Sequence, residues 1–375
     1  MKITVAVHGR YHAFELARGL HAHGHLDRLL TTYPAFAVKK VTGANLPVSS
    51  APLLELRRRL HGRFGFGEAP DFAIAEAFAK FTARNLAPHA GLLIGWSSAT
   101  LEAIAPAQAM GTKVIIERGS THIVHQARVL GEAYQASGLK FGGIDPRVIA
   151  REVEEYERAD MISVPSTHAA QTFVSEGVAE QKVLVNSLGV DLSQFSAPAD
   201  RPINSKPRII FAGGVGVRKG VPQLLSAFAS LSGKAELHIF GRLEPGFDNR
   251  LTGEGVIVHG PVPAGTLADE YAKADIFCLP SIEEGFGLVV AQAMASGLPV
   301  VISDAVGAGD LITEGQDGLI VPAMDDAALG EALAELVDDP ERRRSMGEAA
   351  RLKVASGCGW DDYVERAIIN YQRII

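Results

Sequence analysis

Two loops hold the residues of this chain best suited to chemistry on an anionic ligand. One is Gly213-Gly214-Val215-Gly216-Val217-Arg218-Lys219-Gly220. The other is Ser281-Ile282-Glu283-Glu284-Gly285-Phe286-Gly287-Leu288, which continues through Gln292 to Gly297. Each stands between an apolar run that reads as a buried strand and a stretch that reads as a helix. A loop that opens a helix offers unpaired N–H groups and the positive end of the helix dipole, which favour phosphate. Arg218 and Lys219 add the cations that diphosphate oxygens need. As plain surface charges they would oppose the dipole of the helix that follows. A carboxylate beside phosphate is repelled by it, so Glu284 is expected to point at hydroxyl groups of the ligand. The N–H groups of Phe286, Gly287 and Leu288 are then left for the phosphates. Glu283 takes the place of Glu284 if the register slips by one, and both also read as an acidic N-terminal cap worth under about 1 kcal/mol.

These loops occur together with Ile239-Phe240-Gly241, Tyr271-Ala272-Lys273-Ala274-Asp275 and Gly315-Gln316-Asp317-Gly318-Leu319-Ile320-Val321-Pro322. In that order and spacing, from about Arg208 to the C-terminus and more weakly before it, the chain resembles the GT-B glycosyltransferases of family 4, glycosyl transferases group 1. The resemblance implies a nucleotide diphosphate sugar as donor and no further cofactor. It implies Glu284 on the donor sugar, and phosphates held by Arg218, Lys219 and the backbone near Gly214, Gly241, Phe286, Gly287 and Leu288. The family's arginine, within a Gly-Arg pair, falls at Gly214, so Arg218 is expected to take its role. The family's second glutamate, a clamp on the nucleotide ribose, is Gln292 here; an amide still accepts and donates but lacks the charge. His122, in Glu117-Arg118-Gly119-Ser120-Thr121-His122, resembles the histidine that the family places on the donor sugar, with His125 as the competitor. Arg118 is expected to contact phosphate or acceptor, or else to form a buried pair with Glu117. The loop His8-Gly9-Arg10-Tyr11-His12 lies across from the donor phosphates in the resembled fold, which makes Gly9, Arg10 and His12 candidates for donor or acceptor contact. The expected catalytic set is therefore His122, Glu284, Lys219 and Arg218.

The elements that must position these residues read as alternating strands and helices, an α/β pattern of parallel sheets covered on both faces. In the first half strands are predicted at 3–7, 92–96, 113–117, 161–165 and 182–186, and helices at 13–23, 100–110, 149–158 and 167–176. The pattern restarts with strands at 208–212, 236–240, 256–259, 276–279, 300–303 and 319–321, and helices at 221–231, 264–274, 288–296 and 326–338. Between the halves, 191–206 carries serine, proline, aspartate and asparagine with little periodicity, a linker signature. The expectation is a GT-B fold with a Rossmann-like acceptor-binding domain over 1–190, that linker, and a Rossmann-like donor domain over 207–357. The last segment, 358–375, sets Trp360, Tyr363, Val364, Ala367, Ile368 and Tyr371 at helical spacing. By the resemblance that helix crosses back onto the first domain. Ligands are expected in the cleft at the carboxyl ends of the strands.

Composition narrows the function classes. At 375 residues two domains are the default, and 47% hydrophobic with 21% charged residues is a globular balance. A net charge of −7 argues against bulk attraction to nucleic acid. Cys278 and Cys358 form no disulfide or zinc framework, so a reducing cytoplasm is the simplest reading. His21, His23 and His25 imitate a metal cluster, but Gly24 breaks their face and no metal is expected. No window has the length of a membrane span. The stretch 53–66 sets leucines and phenylalanines among Arg57, Arg58, Arg59 and Arg63. It reads either as a solvated basic face over an ordinary core stripe or as a peripheral contact to an anionic membrane.

The resemblance implies a retaining, metal-independent transfer of a sugar to a glycan or lipid-linked acceptor hydroxyl. A GT-B-shaped sugar-nucleotide epimerase and a non-catalytic nucleotide-sugar-binding subunit are the alternatives.

Overall fold

The structure, a computed structural model, describes residues 1–64, 70–202, 204–247 and 250–375. Phe66 of the basic stretch lies outside the described residues. Thirteen strands are present among those described: β1 Ile3–Val7, β2 Leu26–Thr31, β3 Val48–Ser50, β4 Leu92–Trp96, β5 Lys113–Glu117, β6 Met161–Val164, β7 Val183–Val185, β8 Arg208–Ala212, β9 Glu236–Phe240, β10 Val256–Gly260, β11 Ile276–Leu279, β12 Val300–Ser303 and β13 Gly318–Val321. The helices are α1 Ala13–Ala22, α2 Ala35–Thr42, α3 Pro52–Phe64, α4 Asp71–Arg84, α5 Leu101–Ala109, α6 Ile123–Ala136, α7 Pro146–Arg158, α8 Thr167–Ser175, α9 Val221–Ala229, α10 Ala264–Lys273, α11 Leu288–Ala295, α12 Asp326–Asp338, α13 Pro340–Ala355 and α14 Trp360–Gln372.

Strands such as β1, β4 and β11 are apolar at nearly every position, Thr4 excepted, because helices cover both faces, and every residue in them is buried. They assemble into two sheets of parallel strands. The first has seven strands in the order β3-β2-β1-β4-β5-β6-β7, and the second six in the order β10-β9-β8-β11-β12-β13. In each the order reverses beside the first strand, between β1 and β4 and between β8 and β11, which opens a crevice at the strands' carboxyl ends. The GT-B expectation of two Rossmann-like units is met. Helix α14 crosses back as expected: Tyr363, Val364, Ala367, Ile368 and Tyr371 are buried with the β1 and α1 core of the first unit.

Seven elements escaped the sequence reading: β2, β3, α2, α3, α4, α6 and α13. One of them matters for the site. Helix α6 follows β5 of the first sheet, yet its Ala133 is buried in the core of the second, with Val129 and Tyr134 packed against it. The two units therefore meet through a helix as well as through loops.

Candidate active site

The turn from β8 to α9 brings Arg218 and Lys219 beneath the loop that joins β11 to α11. The Ile282 N–H donates to the Arg218 carbonyl at 2.9 Å, so the two backbones run side by side. Gly220 makes this approach feasible. Its φ of +67° is left-handed, and an added Cβ would stand 1.8 Å from the Pro280 carbonyl oxygen. Each cation then meets one acid of the loop. Arg218 Nε donates to Glu283 Oε2 at 2.8 Å, and Lys219 Nζ is ion-paired with Glu284 Oε2. This pairing explains how two cations tolerate the N-terminal end of α9. Gly214 is exposed at the same turn, and Gly241 abuts Gly213 at the end of β9.

Burial, with the Arg218 charge beside it, pulls the Lys219 ammonium down to about 7, opposed by Glu283. The Glu284 carboxylate against its Nζ works in the same sense as Glu283, towards the charged form. Burial would raise the Glu283 carboxyl. The Arg218 charge and hydrogen bonds from Ser120, Thr121 and Gln126 outweigh it and hold that carboxyl well below its ordinary value.

Glu283 is a tie between the two units. Its Oε1 accepts from Ser120 Oγ at 2.6 Å and Thr121 Oγ1 at 2.7 Å, and its Oε2 from Gln126 Nε2 at 2.9 Å, all in the first unit. Gly285 stands against the same loop: a Cβ there would lie 2.4 Å from Ser120 Cα. Further ties are Ser166 Oγ to the Gly285 carbonyl at 2.7 Å and Tyr134 Oη to Glu244 Oε2 at 2.7 Å.

At the start of α11, the N–H groups of Phe286, Gly287 and Leu288 donate to no group among the described residues. The Phe286 ring is buried in the second core, and Gly287 caps the helix at φ 88°. Leu288 and Gln292, one turn apart on α11, line a cleft of about 720 Å³ between the units. Its other walls are the loops after β1 (His8, Arg10, His12), after β4 (Trp96, Ser98) and after β5 (Arg118, Ser120), with Gln194 and Phe195 of the connecting segment. Arg10 is exposed there, while Gly9 is buried and its carbonyl accepts from Thr31 Oγ1 at 3.2 Å. His12 is held by Glu117, Nε2 to Oε1 at 3.0 Å.

Two expectations are corrected. His122 does not reach the cleft. It caps α6, where Nδ1 accepts from the Val124 N–H at 3.3 Å, and its ring packs against Tyr156 and Phe173. Burial and the Arg118 charge lower it to about 4, which suits a neutral capping imidazole. The loop turns its preceding residues, Ser120 and Thr121, to the second unit instead. Arg118 forms its buried pair with Glu152, at 2.8 Å, while Glu117 is paired through Oε1 with His12. His125 lies on α6, half-buried, beside Arg128 at 3.3 Å. His23 and His25 approach backbone carbonyls, those of Gly19 and Met1. Reasoning from sequence missed Ser120, Thr121 and Gln126 as partners of Glu283, and missed Gln194 and Phe195 in the connecting segment. Their only advance signal is position: the first two follow a strand end at the crevice.

A cationic turn, a loop of free N–H groups and an interdomain cleft beside them suit a ligand with a diphosphate at one end. The model of glycosyl transferases group 1 matches residues 194–353, the part that carries both loops. A D-inositol 3-phosphate glycosyltransferase 1 of Catenulispora acidiphila is 30% identical over 309 residues, 75% of this chain and 71% of the relative. The chain belongs to the glycosyl transferases group 1. An MMP alpha-(1->4)-mannosyltransferase of Mycolicibacterium hassiacum is 32% identical across 60% of this chain and 56% of its own. Among solved structures, sucrose-phosphate synthase from Thermosynechococcus elongatus superposes with a TM-score of 0.72 at 19% identity, covering 100% of this chain and 99% of that one. Anabaena HepE in complex with UDP gives 0.73 at 14% identity over the whole of both chains. These likenesses bear out the fold. As a glycosyltransferase of this group, the chain has its matched segment in the second unit, where Arg218, Lys219, Glu284 and Gln292 lie.

Proposed function

We propose that this glycosyltransferase moves a sugar from a nucleotide diphosphate sugar to an acceptor hydroxyl, with retention, in the making of a glycan, polysaccharide or glycolipid. One observation carries the reading: Arg218 and Lys219 stand beneath a loop whose Phe286, Gly287 and Leu288 N–H groups are free. Together they surround a diphosphate with positive charge. These groups do what a divalent cation does in other phosphate sites, so no metal is needed in this reading. Glu284 leaves Lys219 when the diphosphate arrives and turns to the sugar hydroxyls. Gln292 and Phe195, both in the lining of the cleft, receive the nucleoside. The leaving phosphate accepts the proton of the attacking hydroxyl on the same face of the sugar, and the protein stabilises the charge that builds on it.

The test is turnover of UDP-, GDP- and ADP-sugars in the presence of chelator. D-inositol 3-phosphate, the acceptor in the names of several relatives, is the first to offer. Release of nucleoside diphosphate with an α-linked product from an α-linked donor supports the reading. Tight binding without release from any donor refutes it.

A second reading concerns α3. Leu53, Leu56 and Leu60 point outward with exposures of 77%, 50% and 48%, between Arg57 on one side and Arg59 on the other. Among the described residues no helix is long and apolar enough to cross a membrane. We read a leucine stripe edged by arginines as suited to the surface of an anionic bilayer, a peripheral contact through α3. Cosedimentation with phosphatidylglycerol vesicles, reduced in Leu56→Ser/Leu60→Ser, tests it; equal sedimentation of both proteins refutes it.

A further inference from the structure

His8 directly follows β1 and lies in the cleft wall opposite α11. It resembles none of the residues tied to the donor loops. Its ring is half-buried, near the rings of Tyr11 and Phe78 at centroid distances of 6.1 and 6.4 Å. Nδ1 is sealed from solvent and has no hydrogen-bond partner. Orphaned buried N–H groups are rarer than under-satisfied acceptors, so the ring proton belongs on Nε2, the nitrogen left to the cleft. Two neighbours along the same wall hold unusual backbone. Tyr11 has φ 40° and Ser98 φ 70°, left-handed values that side chains seldom adopt. Ser98 is fixed there by its N–H to Glu155 at 2.6 Å and by its carbonyl, which accepts from Arg151 Nε at 2.5 Å. A wall built this rigidly, with an uncommitted donor at His8, is a recognition surface.

We propose that His8 is an acceptor-binding residue whose Nε2–H donates to an oxygen of the acceptor and which takes no proton from it. The inference rests on the transferase reading above. Burial is the main reason the imidazole stays neutral, drawn down to about 4. Arg58 of α3 and Arg151 of α7 lower it, against Asp71 of α4 and Glu152 of α7. A ring in that state does not titrate in the physiological range, so it acts as a fixed donor rather than as a base.

The test uses the full chain with D-inositol 3-phosphate as the acceptor probe and whichever nucleotide sugar it turns over. His8→Ala is expected to raise the acceptor KM about tenfold, the weight of one hydrogen bond, and to leave the donor KM in place. His8→Gln, whose amide N–H reaches the position of Nε2, is expected to recover most of the loss; His8→Asn, which mimics Nδ1, is not. In ¹⁵N-histidine spectra, assigned by the loss of signals in His8→Gln, His8 shows the Nε2–H tautomer unchanged across the physiological pH range. An unmoved acceptor KM in His8→Ala, a donor KM that rises equally, or a titrating His8 overturns the proposal. Wild-type protein that turns over no donor defeats the transferase reading instead, and the spectra then decide His8 alone.

Discussion

Glu283→Gln probes the tie between the two units without changing its volume. In the wild type the carboxylate accepts from Ser120 Oγ, Thr121 Oγ1, Gln126 Nε2 and Arg218 Nε at 2.6, 2.7, 2.9 and 2.8 Å. It is 1% exposed. A hydrogen bond to a charged partner contributes about 1 kcal/mol more than one between neutral groups. The three side-chain contacts to the first unit are sheltered, so their weakening amounts to about 3 kcal/mol at most. The contact to Arg218, a side chain 35% exposed, adds little once solvent screening is counted. Urea unfolding at pH 7 should show this loss, and small-angle scattering should show a larger radius of gyration as the cleft opens. The acid limb provides the sharper readout. Because the folded carboxyl is held below its unfolded value of about 4.3, its contribution is complete above that pH and is lost as pH falls below it. Glu283→Gln should flatten the fall in stability below about pH 4.3. Equal stability of the two proteins at pH 7, or parallel acid limbs, would refute the reasoning.

Gln292→Glu puts a carboxylate at the cleft position proposed to receive the ribose and is expected to tighten nucleoside diphosphate binding about tenfold, as charge-assisted hydrogen bonds replace neutral ones; calorimetric titration checks it. Gly220→Ala should destabilise the protein by more than the ~1–2 kcal/mol of a strained left-handed alanine, because its Cβ also meets the Pro280 carbonyl, and should abolish donor turnover. Gly214→Ala, where a Cβ meets nothing within 4 Å, should leave the melting temperature within a degree or two. Donor KM should rise between pH 7 and 9, since an ammonium drawn down to about 7 loses its charge over that range; a flat KM in a steady-state series would contradict the burial of Lys219.

The second unit was far more legible than the first. Strands such as β8, β11 and β12 are mainly apolar runs because both faces are covered, and their bounds, like those of β9, could be read to the residue. β2 was missed because Asp27 and Arg28 interrupt the run, and β3 because it is three half-buried residues. Helix α13 buries only Met346, Gly347, Ala350 and Val354 of a polar stretch, too thin a stripe to stand out. The site was legible to the extent that a loop between strand and helix predicts anion binding. Arg218, Lys219, Glu283 and Glu284 were all singled out, but the pairing of each cation with one acid joins residues 65 positions apart, which no local pattern reports. His122 was misplaced for a local reason: the crevice-facing part of the loop ends at Thr121, and the next side chain turns back as a helix cap. Phe195 was hidden by the polar residues around it in a segment that reads as linker, although it is buried.

Calorimetric titration of UDP, GDP and ADP into the wild type and Lys219→Met tests the diphosphate site most directly. Methionine keeps the length of the side chain, and Lys219→Met/Glu284→Gln controls for the acid left without its partner. The account predicts that one nucleoside diphosphate binds the wild type and that both variants lose about 10- to 100-fold in affinity, as one charge-assisted contact is removed. Wild-type affinity in both variants would contradict it.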